Sequence, residues 1–245
     1  MPANNISRRT IVRGAAWSAP VIAAASTVPA YAASICQDVA YQPVLSTSTI
    51  TRSSSTSATG KFNPTITPSS PTGPVKPTVN VSFTASATGG KIISAVQNLA
   101  VAGQQNQLGY NGAGDLATDG IELIQRGPIG YAARQILNIT FDRPVSNLKF
   151  TLADFDQSNY LDQVAVSGSP IITNASGVSG SGTPTSPLGP NRNRGDLRSD
   201  NTNSRSLVQY TQPTTSVTLE FWSKTGAGSQ QIFLSKMSFT ASTCP

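Results

Sequence analysis

The 245-residue chain contains no histidine and only two cysteines. The missing histidine excludes Ser-His-Asp and Cys-His catalytic machinery and His-ligated zinc. Acidic residues number 11 against 17 basic ones, so carboxylates for acid–base chemistry are scarce. Long apolar runs are also lacking. The best candidate, Ala15 to about Ala25, holds Pro20 and falls short of the roughly 20 residues a membrane helix needs. The reading is therefore no transmembrane anchor. Nothing resembles a long helix, and no repeat of fixed period is present.

What is there begins with an address. Arg8, Arg9 and Arg13 precede the apolar stretch, and Ala30-Tyr31-Ala32 follows as a small-x-small cleavage site, the layout of a secretory peptide. The run Ser7–Arg13, SRRTIVR, resembles the twin-arginine export signal, with Ile11, Val12 and Arg13 where Phe, Leu and Lys are usual. That resemblance implies a bacterial-type cell, a cargo folded before it crosses, and a secreted or cell-surface location. Residues 1–32 are then the signal peptide. Setting its three arginines aside leaves 14 basic and 11 acidic residues, a net charge of +3, which gives no mandate for a nucleic-acid partner. Cys36 and Cys244 lie near the ends of the remaining chain, and an even count in an exported protein predicts a disulfide between them. Ile35 stands where a lipid-anchored cysteine would need a small residue.

Residues 33–78 are rich in Ser, Thr and Pro and read as an N-terminal strand and wide loops. Residues 79–245 read as the main domain. There the pattern turns to period two. Val79, Val81, Phe83 and Ala85 share one face, as do Leu137, Ile139 and Phe141, then Leu148, Phe150 and Leu152, then Val164 and Val166, then Val217, Leu219 and Phe221. Met237 and Phe239 lie in the last strand. Such alternation belongs to half-buried antiparallel strands. Turn-rich segments, FDRPVSN among them, punctuate it. The expected fold is all-β, an antiparallel β-sandwich of jelly-roll-like or Ig-like type. The stretch Asn174–Arg205 reads as one long loop without core residues.

The run ITFDRPVSNLKFTLADFDQSNYLDQVAV resembles a segment of exported bacterial surface β-sandwich proteins with the pattern F-x-x-P-V-x-N-L-x-F-x-L-x-D-x-D, a short turn, then D-x-V-x-V. The resemblance covers roughly a fifth of the chain and implies the fold and the location. Most proteins of that type have no assigned activity.

Asp154, Asp156 and Asp162 gather within nine positions at the end of an apolar strand. An unbroken strand would turn Asp154 and Asp156 into the core, at a cost of several kcal/mol each if unpaired. Three readings stay open: the strand ends and the aspartates stabilise a turn; a bulge flips the register and puts Phe155 inside; or a calcium ion sits at the sandwich edge, helped by carbonyls or water. Calcium is the one cofactor this pattern raises, and it is no EF-hand, since Asn159 and Ala165 stand where Gly and Glu belong. Trp222 faces away from the core beside Glu220 and Lys224, either open for stacking on a sugar or covered by a loop. Arg192, Arg194 and Arg198 sit in the polar stretch, where they could grip an acidic wall glycan. Arg194-Gly195-Asp196 spells a tripeptide that recurs by chance. The reading is an exported binding or structural protein acting in adhesion, wall association or capture of a glycan. The alternative is a polysaccharide hydrolase using Asp154, Asp156, Asp162 or Glu220 in pairs.

Overall fold

The structure is a computed structural model. It describes residues 38–65, 78–101, 120–191 and 201–242. These belong to the second of two units into which the chain divides, Gln37–Pro245. Fourteen strands follow in chain order. The first five are β1 (Asp38–Tyr41), β2 (Ile50–Ser54), β3 (Ser57–Phe62), β4 (Val79–Ala87) and β5 (Ile92–Ile93). Next come β6 (Ile121–Arg126), β7 (Gln135–Ala153), β8 (Asp162–Val166), β9 (Ile171–Asn174) and β10 (Val178–Ser179). Then β11 (Gly189–Pro190), β12 (Arg205–Gln209), β13 (Thr214–Ser223) and β14 (Gln230–Ser242) complete the set. Among the described residues the one helical piece is a 3-10 turn at Thr202–Ser204. No helix there is long and apolar enough to cross a membrane.

The fold is all-β and antiparallel, as the alternation predicts. Pairing joins twelve strands into one continuous sheet that passes from one layer to the other through β7, and β10 with β11 forms a separate two-stranded sheet. The first half of β7 pairs with β4 on one side and β13 on the other, at Leu137, Ile139 and their neighbours. β4 carries β3, which carries β2, and β13 carries β8. The second half of β7 pairs with β14 and β12, and β12 carries β9. β14 carries β6 along its first half and β1 along its last residues, and β6 carries β5. The side chains singled out by period two all lie in one core cluster. Aromatic pairs cross it: Phe141 of β7 meets Phe239 of β14 at 5.4 Å edge-to-face, and Tyr41 stacks on Phe239 at 4.8 Å.

Two expectations need correction. The segment FDRPVSN is not a turn between strands; it lies inside the 19-residue β7. Proline survives there because the strand is passing from one layer to the other, where no ladder bond needs its missing N–H. The stretch Asn174–Arg205 does contribute to the core, since Val178 and Leu188 are buried in the main cluster. Leu188 bridges to Val164 of β8, each N–H donating to the other's carbonyl at 2.8 Å. The Ser/Thr-rich segment before residue 62 forms β2 and β3, an edge hairpin with Ala58 and Phe62 turned inward.

Candidate functional site

The first layer presents one face to the core and the other outward. On the outward face the register aligns rows of hydroxyl and amide side chains. One row runs Thr59–Ser82–Thr140–Ser216 across β3, β4, β7 and β13. The next runs Ser57–Thr84–Asn138–Thr218 across the same strands. Neighbours along a strand stand two residues apart, about 7 Å, and adjacent strands about 4.8 Å apart. Thr218 Oγ1 donates to Asn138 Oδ1 at 2.8 Å, which orients one pair. The remaining hydroxyls of Thr59, Thr84, Thr140 and Ser216 are exposed.

Charged groups bound the two rows on either side along the strand direction. At one end Asn80 Nδ2 donates to Asp142 Oδ2 at 2.7 Å, and Arg143 Nε lies 3.2 Å from Asp142 Oδ1. Burial pushes the Asp142 carboxyl up, but the bonds from Asn80 and Arg143 outweigh it and hold the group below its ordinary value. A depression of about 350 Å³ opens there between Thr59, Lys61, Asn80, Ser82, Thr140 and Asp142. At the other end Glu220 accepts from Tyr131 Oη at 2.6 Å and from Arg134 Nε at 2.8 Å. The Arg134 guanidinium lies 4.2 Å over the Tyr131 ring. The Glu220 hydrogen bond, with burial, raises the Tyr131 phenol above its usual range.

Trp222 sits at this end, on the non-core side as its parity requires, but it is only 4% exposed. Tyr131 lies edge-on to it with centroids 5.0 Å apart. Trp222 is therefore no open stacking platform, because the loop carrying Tyr131 covers it. The ring left exposed is that of Tyr131, at 37%. Tyr131 lies in the turn between β6 and β7, outside every alternating run, so periodicity gives no sign of it.

The aspartate cluster is a sealed turn. β7 ends at Ala153, Asp154 takes a left-handed φ of 73°, and Phe155 enters the core. Strand end and register flip thus occur together. Gln157 bridges to Leu161 across the turn. Asp156 N–H donates to Asp162 Oδ2 at 3.2 Å, and Asp162 N–H returns a bond to the Asp156 carbonyl at 3.3 Å. Gln230 Nε2 donates to Asp162 Oδ1 at 2.9 Å. All three carboxylates are buried. Burial, then the charge and hydrogen bond of Asp156, then the charge of Asp154, push Asp162 well above the usual carboxylate range. The following loop clamps the turn from outside: Gly226, at φ 67°, backs so closely onto the Asn159 carbonyl that a Cβ would lie 1.7 Å from its oxygen. Among the described residues no group of three His, Cys, Asp or Glu side chains is disposed to hold a metal ion, these aspartates included.

The sequence candidates therefore do not converge. Asp154, Asp156 and Asp162 are enclosed in the turn, while Glu220 is tied to Arg134 and Tyr131 on the outer face of the first layer. Cys36, Cys244, Arg8, Arg9, Arg192, Arg194 and Arg198 lie outside the described residues. Comparison with family models, with curated proteins and with solved structures finds no match to this chain.

Proposed function

We propose that the protein is an exported surface protein that binds a neutral glycan of the cell wall or its surroundings across the outer face of the first layer. The observation that carries the reading is the two-row array of Ser, Thr and Asn side chains in register over four strands. Most of its hydroxyls are exposed, and the rows themselves carry no charged side chain. A polyol ligand matches such a face, because each sugar hydroxyl both donates and accepts, as each threonine does. Charge gives an acidic polymer limited hold: Arg134 is paired with Glu220 and Arg143 with Asp142, which leaves Lys61 at the rim, in the same depression as Asp142. Tyr131 adds a partly open ring at the edge, suited to a sugar face.

The test is a glycan array followed by titration of the best neutral oligosaccharide. Replacing Asn138 and Thr140 by alanine should weaken binding about tenfold or more, or at least about 1.4 kcal/mol, with the melting temperature unchanged. A chain that binds no neutral glycan, or a double variant that binds as well as the parent, would refute the proposal.

Export and adhesion accompany this reading, supported by the SRRTIVR run. So does the Cys36–Cys244 disulfide. Asp38 pairs with Ser242 at the open end of the β1–β14 ladder, and each cysteine follows two residues further out along the sequence. The unreduced protein should weigh two hydrogens less than the reduced one; equal masses would remove the bond.

A further inference from the structure

A second constellation lies inside the molecule, away from the outer face. Lys91 is 6% exposed, an unusual place for an amine. Its Nζ donates to the Pro128 carbonyl at 2.9 Å and lies 3.4 Å from Gln230 Oε1. Gln230 is fully buried at the start of β14. Its amide is gripped on both sides. Oε1 also accepts from Gln125 Nε2 at 3.4 Å, while Nε2 donates to Asp162 Oδ1 at 2.9 Å and to the Trp222 carbonyl at 3.4 Å. Gln125 is itself fixed, its Oε1 accepting from the Gln135 N–H at 3.1 Å. Amine, amide and carboxyl thus meet in a site closed to water.

We propose that Lys91 and Gln230 become joined by an intramolecular isopeptide bond, with Asp162 as proton donor to the leaving nitrogen and Gln125 as donor to the oxyanion. The Nζ lone pair attacks Cδ of Gln230, and Oε1 takes up the negative charge under the Gln125 Nε2 hydrogen bond. The Cδ–Nε2 bond then breaks as Asp162 passes its proton to Nε2, which leaves as ammonia. The proton shed by Nζ restores the Asp162 acid. Lysine amine and glutamine amide become one secondary amide and one ammonia, and nothing is oxidised or reduced.

The surroundings favour each protonation state the reaction needs. Burial pushes the Lys91 ammonium down toward the neutral amine; an ionised Asp162 would pull it back up, and that pull is absent while Asp162 keeps its proton. Burial and the neighbouring Asp156 hold the proton on Asp162. The fixed packing replaces a bimolecular encounter with a standing contact. The product also removes a buried amine whose desolvation is costly. It ties together residues 139 positions apart, a long closure that restricts the unfolded chain. The proposal is independent of the glycan reading.

The experiment is the intact mass of the full chain, denatured and reduced, followed by tandem mass spectrometry of a digest. The expected mass is that of the sequence, less any leader removed, less one ammonia, with the Lys91 peptide joined to the Gln230 peptide. Lys91→Arg and Asp162→Asn should both lose the junction and return to full mass. A wild-type chain at full mass overturns the proposal whether or not the variants fold. So does an ammonia loss mapped elsewhere, such as an Asn succinimide. A junction that persists in Asp162→Asn, checked for folding by circular dichroism, overturns the role given to that acid.

Discussion

At the scale of single residues, the acid-poor composition gives each buried carboxylate unusual weight. Glu122 of β6 is 6% exposed, and its Oε2 has no hydrogen-bond partner among the described residues. Burial pushes its pKa from 4.5 to about 7. The sign follows from proton counting. Between those two values the unfolded chain has released this proton while the folded chain still holds it. The unfolded state binds fewer protons, so stability falls as pH rises through that window and levels off above it. The loss amounts to at most about 3 kcal/mol. Glu122→Gln removes the titration and keeps the shape. The variant should melt higher than the parent at pH 8, with the advantage shrinking toward pH 5. Melting curves with the same pH slope for both proteins would show that Glu122 ionises without cost. Asp162, shifted in the same direction, contributes to both proteins alike and cancels in the comparison.

At the scale of elements, alternation made the strand cores legible and concealed the places where parity changes. In β7 the inward positions are odd-numbered through Val145 and even-numbered from Leu148 to Leu152, and the turn after the strand returns to odd at Phe155. In β14 they are even at Ile232 and Leu234, and odd at Met237, Phe239 and Ala241. Each switch coincides with a left-handed residue: Asn147 at φ 53°, Asp154 at φ 73° and Lys236 at φ 51°. One extra residue in this conformation turns the following side chains to the opposite face. Asn and Asp adopt it more readily than most residues, which is the only local sign a reader of the sequence has. A lysine gives none. This is why two runs on either side of Pro144 look like separate strands, and why Asp154 looks like an intruder in the core. The outward rows were legible only in kind, as Ser, Thr and Asn alternating with apolar residues. Their alignment depends on which strands are neighbours, and periodicity carries no information on that. Lys91, Gln125 and Gln230 left no mark at all, since isolated polar residues look the same whether solvated or enclosed.

At the scale of the whole molecule, the two layers cannot separate without breaking a strand. β7 supplies the centre of the first layer with Leu137–Phe141 and of the second with Leu148–Leu152. Phe239 stands at the seam, within 4.8 Å of the Tyr41 ring centroid, 5.4 Å of Phe141 and 6.3 Å of Phe62. Removing it should therefore weaken both layers together. Phe239→Ala is expected to cost about 3–5 kcal/mol, the range for truncating a buried aromatic ring. Heat or denaturant should still unfold the body in one transition. Trp222 lies on β13 of the first layer, where it pairs with Gln163 of β8, on a different strand from the residue altered. Its fluorescence and the far-ultraviolet circular dichroism should shift to the same lower midpoint, as two-state unfolding requires. A variant in which the circular dichroism midpoint falls while the tryptophan signal keeps its parent value would mean that the layers melt apart, and that the shared strand does not couple them.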